Sequence, residues 1–591
     1  MNYDIEKVLS KVQKPARYTG GEYNEIIKSK EDVSLRVAFC FPDTYEIGMS
    51  NLGMKILYNT MNSLDFVWAE RVFAPWADMY SEMKSNGIPL YALESGDAIS
   101  SFDVLAFSIG YEMAYTTVLD MIDMAGLPVR REDRKDLFPL VVAGGSGIIN
   151  PAPMSPFIDL FFIGEGEEMN NELLSLLKFA KDNNWSKQRL LDEAIKIEGV
   201  YSPKHNNRTV KRIVKNLDAS PYPVYPVVPS TEVVHDRVNL ELFRGCIRGC
   251  RFCQAGHIYR PIRAKNADTL INQGIETLKN TGYEDITLLS LSSSDYKDLP
   301  AVIDGLMDYC ESKGIGISLP SLRADNFSIE LMQRLQKVRK SGLTFAVEGG
   351  TQRLRNVINK NVTDEDLLNT CKIAFSGGWN SVKLYYMLGL PTETDEDILG
   401  IAQMANEVLH CWRENASNKN RGVKITISTS CFIPKPFSPF QWEAQITVDE
   451  YLRRVNLLRS AIKAKNVVYN WHDAETSLIE AVLSRGDAKI GDVIERVWLN
   501  GGRLEAWSDF FDYNRWLDAF CYLNIDPAMY ANRKRDVDEE FPWDVIDIGT
   551  TKKHLYNEAV KAQNAELSTD CGHSCAGCGA LKLLDGGKCY G

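Results

Sequence analysis

The sequence predicts an α/β protein of several domains: a doubly wound N-terminal domain, a partial (β/α)6 TIM-like barrel, a mainly helical C-terminal region and a Cys-rich tail. Three observations predict it. A chain of 591 residues is too long for one core. Short apolar runs alternate with patterns of helical period in two successive stretches, the mark of parallel sheets. From about residue 445 the pattern turns helical and ends in a run rich in Gly and Cys.

Taken in order, residues 1–34 form an N-terminal extension. With acids and no apolar core of signal-peptide type, it is not expected to act as a signal peptide. Residues 35–190 hold four expected buried strands, at 35–40 (L-R-V-A-F-C), 103–109, 138–143 and 159–163, with helical patterns such as N-L-G-M-K-I-L-Y-N-T-M between them. A doubly wound domain binds ligands at the carboxyl ends of its strands, here the loops P-D-T-Y-E-I-G, S-I-G-Y-E and G-G-S-G. The proline-rich stretch 191–235 is a linker. Residues 236–445 carry six strand–helix units, too few for a closed eight-fold barrel. Residues 446–565 read as helical and 566–591 as a metal-binding tail.

Composition narrows the function. Hydrophobic residues at 45% and charged residues at 25% are ordinary for a folded protein. No run of about 18 apolar residues suggests a membrane span, so a cytoplasmic location is expected. A net charge of −12 argues against wrapping nucleic acid, though a local basic mouth on an acidic body is compatible with it. Of thirteen cysteines, Cys40, Cys310, Cys371, Cys411, Cys431 and Cys521 are scattered and read as small buried hydrophobes. The other seven form two clusters, which in a reducing compartment signal metal or redox chemistry.

The first cluster, R-G-C-I-R-G-C-R-F-C-Q-A-G, places Cys246, Cys250 and Cys253 as C-x3-C-x2-C after the first strand of the second domain. Three thiolates can hold three corners of a 4Fe-4S cluster and leave one iron open. Arg244, Arg248, Arg251, Arg260, Arg263 and Lys265 crowd the stretch, with no acid from 243 to 265, and such charge favours thiolate. The plainer alternative is a zinc site completed by His257.

These residues resemble the radical S-adenosylmethionine (SAM) superfamily. The resemblance implies an enzyme whose open iron chelates SAM and whose reduced cluster cleaves it to a 5′-deoxyadenosyl radical. It also implies an electron donor of flavodoxin or ferredoxin type. By the same resemblance Ser292 and Ser293, with Ser294, stand where the SAM amino group binds, although the usual Gly-Gly-Glu run is absent. Ser321 and Arg323 end the third barrel strand, and Glu348 matches the residue that meets the ribose. Arg353 or Arg355 would pair with the SAM carboxylate. Y-M-L-G-L-P, with Gly389 and Pro391, and F-I-P-K-P-F resemble adenine walls.

An α/β domain before such a barrel resembles the cobalamin-binding subclass, and the full order resembles one uncharacterised bacterial family whose members often pair with a small partner protein. Asp43, Tyr45 and Gly48 have the spacing of a cobalamin loop, with tyrosine where histidine would ligate cobalt. The resemblance implies that Gly144 and Gly145 admit the nucleotide tail and that Ser108 hydrogen-bonds it. Phenol is a poor cobalt ligand at neutral pH. Three readings stay open: cobalamin without a protein ligand, a vestigial fold, or another ligand. Asp43 as an ordinary helix N-cap is the bland version.

In the tail, Cys571, Cys575, Cys578 and Cys589 give C-x3-C-x2-C-x10-C, with His573 spare. A second 4Fe-4S cluster or a zinc knuckle fits this spacing, and it bears on catalysis only if the tail folds back to the barrel mouth. The expected reaction is C–H activation, by methyl transfer or rearrangement, on a substrate the sequence does not disclose. Sulfur insertion of methylthiotransferase type is the enzymatic alternative; Cys40 as the only cysteine before 246 counts against it. A non-catalytic RNA- or ribosome-associated zinc-knuckle protein is the alternative from another class.

Overall fold

The computed structural model describes residues 5–319 and 343–585. The first domain is a six-stranded sheet of β1 (Leu35–Phe41), β2 (Val67–Phe73), β3 (Val104–Ser108), β4 (Leu140–Gly144), β5 (Leu160–Phe162) and β6 (Val200–Tyr201). The strand order is β2-β1-β3-β4-β5-β6, parallel except for the β5–β6 pair. This is the doubly wound arrangement, with an antiparallel edge added by a strand that falls in the expected linker.

Strand β2 was not expected, because V-W-A-E-R-V-F puts two charges in its centre. Both are buried with partners: Glu70 takes Arg36, and Arg71 pairs with Glu22 and Glu94. Paired burial of this kind hides a strand from any reading based on apolar runs.

The sheet is covered on both faces. Val37, Phe39 and Phe41 pack on the helices Leu52–Asn62 and Gly166–Asp182. Asn51 caps the first of these by accepting from Met54 N at 3.0 Å. On the other face Ala38, Cys40, Leu105 and Phe107 share a core with Ile479, Val482, Ile494 and Trp516, from the helices Ala474–Arg485, Lys489–Leu499 and Tyr513–Leu523. The C-terminal region therefore completes the first domain's core.

The connector contributes β7 (Thr209–Val210). The barrel region holds β8 (Val238–Glu241), β9 (Phe243–Arg244), β10 (Arg263–Ala264), β11 (Asp285–Leu289), β12 (Gly316–Ser318), β13 (Leu343–Glu348), β14 (Ser381–Leu388), β15 (Lys424–Cys431) and β16 (Val467–Trp471). β12-β11-β8 and β13-β14-β15-β16 are two all-parallel sheets, and β9 and β10 make a short antiparallel ladder. β16 lies in the stretch read as helical and adds a further parallel strand after β15. β17 (Ile546–Asp547) pairs with β7, so the C-terminal region also clasps the connector. Among the described residues no helix is long and apolar enough to cross a membrane.

Candidate active site

The loop from β9 to β10 carries Cys246, Cys250 and Cys253, all partly buried. Burial pushes the Cys246 thiol up to about 11 and the Cys253 thiol up to about 12, with Cys250 adding to both. They are neutral until a metal takes the proton's place. The amide of Gly256 donates to Cys253 Sγ at 3.3 Å, the kind of second contact that steadies a metal-bound thiolate. Among the described residues no three His, Cys, Asp or Glu side chains gather as ligands of one ion. Thiols that hold a cube of irons and sulfides, each gripping a different iron, need no such convergence. The donor set thus suits three corners of a 4Fe-4S cluster. His257, the alternative ligand, is buried with both ring nitrogens unpartnered.

The basic crowd around these thiols is not free charge, as the sequence alone suggested. Arg244 pairs with Glu165, Glu167 and Glu241, and Arg263 with Glu165. Arg248 pairs with Asp295 and Asp570, and Arg251 with Glu558. Lys265 donates to Gln273 and lies 4.5 Å over the Tyr222 ring. Acids from distant segments meet all of these arginines. Arg260 is the exception: its Nη2 donates to the Arg248 carbonyl at 2.8 Å, and Nε and Nη1 have no hydrogen-bond partner.

The loop after β11 comes to the cluster loop through Asp295. Arg248 donates to Asp295 with Nε at 2.9 Å, and Ser292 Oγ donates to the same carboxylate at 2.5 Å. Ser293 Oγ is spent on the Leu288 carbonyl, whereas Ser294 Oγ is buried without a partner. Of the three serines, Ser294 is the one with a hydroxyl to offer. Ser321, Arg323 and Cys589 lie outside the described residues.

Glu348 ends β13 at a register shift, with φ of 71°. A non-glycine residue in this left-handed region is strained, and such strain gathers at functional sites. Burial raises the Glu348 carboxyl, offset by Lys360 at 3.7 Å. Lys360 also acts electrostatically on Cys253, so one buried ammonium serves both the thiol loop and Glu348. The sequence reading passed over Lys360 because nothing in R-L-R-N-V-I-N-K marks which cation turns inward.

The two arginines expected at the SAM carboxylate both hold partners of the protein's own. Arg353 is half-exposed and holds Asp397 and the Thr392 carbonyl. Arg355 is fully buried on Asp364, Gly349 O and Val362 O. Both brace helix starts and loops. The apolar walls do assemble: Met387, Leu390, Phe432 and Phe440 share a cluster with Leu354 and Val357, with Phe252 beside Cys253 packed on it. Gly389, at φ of 91°, has no room for a Cβ, which would lie 2.8 Å from Ile446, and its amide donates to Glu393 at 2.7 Å. Pro391 follows at the start of the turn.

The strand ends of the first domain face this mouth. Tyr259 of the cluster loop reaches Ser146, next to Gly144 and Gly145, and Lys435 bridges Glu112 and Glu480. A cavity of about 460 Å³ lies between the domains, lined by Gly53, Leu57, Gly166, Arg244, Tyr259 and Ser290. Gly110 is exposed with open space around it, and Ser108 and Gly144 are half-buried at the same edge. Gly145 lies against Ile109, whose carbonyl oxygen an added Cβ would meet at 2.3 Å.

Asp43, Tyr45 and Gly48 point into the body of the protein. Asp43 accepts from Trp507 Nε1 at 2.8 Å. Tyr45 is 1% exposed, packs edge-on against Phe73 and donates its hydroxyl to Glu22. A Cβ on Gly48 would strike the Phe73 ring at 2.2 Å. Facing Glu22 and Phe73, the Tyr45 side chain is not turned outward as a ligand.

The tail folds back onto the cluster loop. Cys571 N donates to Ile247 O at 3.0 Å, Ser568 N to Asn359 Oδ1 at 2.9 Å, and Arg251 Nη2 to Glu566 O at 2.7 Å. Cys578 is buried, Cys571 partly buried and Cys575 exposed. Gly577 N donates to Cys575 Sγ at 3.5 Å, and His573 is exposed on Asp570.

Comparison with known proteins agrees with the residues. The family model described as radical SAM superfamily matches residues 240–405, and the one described as radical SAM proteins, N-terminal, matches residues 53–203. The uncharacterized protein MJ0966 of Methanocaldococcus jannaschii is 28% identical over 461 residues, covering 78% of this chain and 90% of its own. A putative methylthiotransferase of the same organism, MJ0865, is 24% identical over 187 residues, 30% of this chain and 41% of its own. Among solved structures, the radical SAM methyltransferase TsrM from Kitasatospora setae, with cobalamin and a 4Fe-4S cluster bound, superposes with a TM-score of 0.48 at 13% identity. That match covers 69% of this chain and 74% of TsrM. The cobalamin-dependent SAM radical enzyme OxsB superposes at 0.44 and 11% identity, over 90% and 79%.

Proposed function

The chain belongs to the radical SAM superfamily, and on that premise we propose that Cys246, Cys250 and Cys253 bind a 4Fe-4S cluster for C–H activation of a substrate. Bound there, a 4Fe-4S cluster would supply the reducing electron for cleavage of SAM and, through it, hydrogen abstraction from the substrate. The chain's own residues do the rest. Gly256 N–H stabilises the Cys253 thiolate. Ser294 Oγ and Glu348 offer an oxygen each for the amino and ribose groups of SAM. Lys360 takes the role given to Arg353, a cation for the SAM carboxylate. Met387, Leu390 and Phe432 exclude water from the adenine. The observation that carries this reading is the loop from β9 to β10, which sets Cys246, Cys250 and Cys253 after a barrel strand with Gly256 N–H donating to Cys253 Sγ at 3.3 Å.

Anaerobically reconstituted protein is expected to hold about four irons at this site and to release 5′-deoxyadenosine with dithionite and SAM. Iron without any SAM cleavage would sink the proposal.

Two finer readings go with it. The tail cysteines form a second metal–sulfur site, supported by the folded-back turn. The first domain holds cobalamin at the ends of β3 and β4, without a lower ligand from the protein, which would make methyl transfer or rearrangement the outcome. The apposition of its strand ends to the barrel mouth supports this. A corrinoid-titrated absorption spectrum tests it, and an unchanged spectrum contradicts it. Sulfur insertion is disfavoured by an α/β domain whose single thiol, Cys40, is buried in the core.

A further inference from the structure

The connector and the C-terminal region close around a cavity of about 620 Å³ that the SAM chemistry does not use. Its apolar wall includes Phe437, Phe541 and Leu555, all buried. Phe437 belongs to the core shared with the first sheet, whereas Phe432 lies in the apolar wall assigned to adenine. The polar rim comes from Arg208, just before β7, from the segment 540–552 and from Lys582 of the tail. Lys211, just after β7, donates to the carbonyls of Ile258 and Arg260 in the cysteine loop. The rim and that loop therefore hang on one short strand.

The charges around this cavity are only partly spent on one another. Asp547 pairs with Lys582 at 2.6 Å and Asp544 with Lys552 at 2.7 Å. Two charges of opposite sign are left over, Arg208 and Glu540. Both are exposed, and among the described residues neither side chain has a hydrogen-bond or ion-pair partner. Arg208 also acts electrostatically on Asp547, so the side with Arg208 and Lys582 carries two cations to one carboxylate. Thr550, in the same lining, is 6% exposed and its Oγ1 has no partner. Leaving a buried hydroxyl unpaired is costly, and an oxygen of a bound carboxylate would satisfy it.

We propose that this cavity is a second small-molecule site, built for a compact zwitterion: a free amino acid with an apolar side chain. The ligand's carboxylate takes Arg208 and the Thr550 hydroxyl, and its ammonium takes Glu540. Its side chain packs on Phe437, Phe541 and Leu555. The two leftover charges select against simpler ions, since a plain anion would meet Glu540 and a plain amine would meet Arg208. The volume is that of an ordinary small-molecule site. Binding is non-covalent, and the site does not depend on the cysteine loop being a SAM-cleaving centre.

Isothermal titration calorimetry on full-length reconstituted protein tests this, with L-leucine and L-phenylalanine as probes. Their methyl esters, their N-acetyl derivatives and inorganic phosphate are the controls. At least one free amino acid is expected to bind with a Kd between about 10 μM and 1 mM, and its ester and N-acetyl forms roughly tenfold more weakly or worse. Arg208→Ala, an exposed substitution, should weaken the free amino acid roughly tenfold and leave the ester unchanged. Thr550→Val should weaken it too, while the urea midpoint holds or rises because an unpaired buried hydroxyl is gone. Saturating SAM should leave the affinity unchanged. Absence of binding by both amino acids would overturn the proposal. So would equal binding of ester or phosphate, undiminished binding in Arg208→Ala, or displacement by SAM. Amino-acid binding without SAM cleavage would count against the SAM-cleaving function alone.

Discussion

Arg248 and Asp570 meet at 3.0 Å although 322 residues separate them. Because Arg248 also holds Asp295, one guanidinium ties the cysteine loop to the serine loop and to the tail. Arg248→Met takes one guanidinium away from two carboxylates, 2% and 5% exposed. The expected cost is about 3 kcal/mol, and the tail should come loose first. Limited proteolysis checks this: cleavage between 566 and 585 should precede cleavage elsewhere, and a variant cut in the wild-type order contradicts it.

Tyr45 is a packing residue. Tyr45→Phe removes its donation to Glu22 and should cost about 1.5 kcal/mol in urea unfolding. Tyr45→His should leave corrinoid affinity within roughly twofold, because the side chain faces Glu22 and Phe73. A large gain in affinity would falsify this placement.

Glu348 trades backbone strain for position. Glycine takes its left-handed conformation without steric strain, so Glu348→Gly should relieve about 1 kcal/mol of backbone strain, offset by leaving buried Lys360 without this carboxylate, and the urea midpoint should stay level or fall. SAM binding, measured by equilibrium dialysis on reconstituted protein, should weaken roughly tenfold or more. Unchanged SAM affinity would remove Glu348 from the site.

Glu393 gives a pH signature. Burial raises its carboxyl to about 7 from an ordinary 4.5, against Gly389 N–H and Arg454. The folded state therefore holds this proton more tightly than the unfolded state. Its contribution to stability is full below about pH 4.5 and is lost as pH rises through about 7. Urea midpoints at pH 5 and pH 7 should converge in Glu393→Gln relative to wild type. Equal slopes in the two proteins would mean the carboxyl is already ionised.

The sequence discloses what local chemistry dictates. The apolar runs became β1, β3, β4 and β14, and C-x3-C-x2-C stands after a barrel strand because spacing and strand context are both local. What was illegible depends on distant partners. β2 carries Glu70 and Arg71, whose burial is tolerable only with Arg36, Glu22 and Glu94 in place. The arginines near the thiols looked like free charge until Glu165, Asp295, Glu558 and Asp570 arrived from elsewhere. Tyr45 fits a ligand-loop spacing, and only Glu22 and Phe73 reveal that it points inward. Lys360 and Arg353 are equally cationic in sequence, and only the fold makes one buried and the other half-exposed.

The shared core of the first sheet has a consequence for biogenesis. Ala38, Leu105 and Phe107 are covered by Ile479, Val482, Ile494 and Trp516. At roughly 5–20 residues per second, a ribosome takes on the order of tens of seconds to reach those residues after the sheet has emerged. Through that interval one apolar face stays wet on the nascent chain. Fragments ending near residue 235 should consequently aggregate or recruit chaperones, and early termination of synthesis yields a sticky half-protein instead of a free-standing N-terminal module.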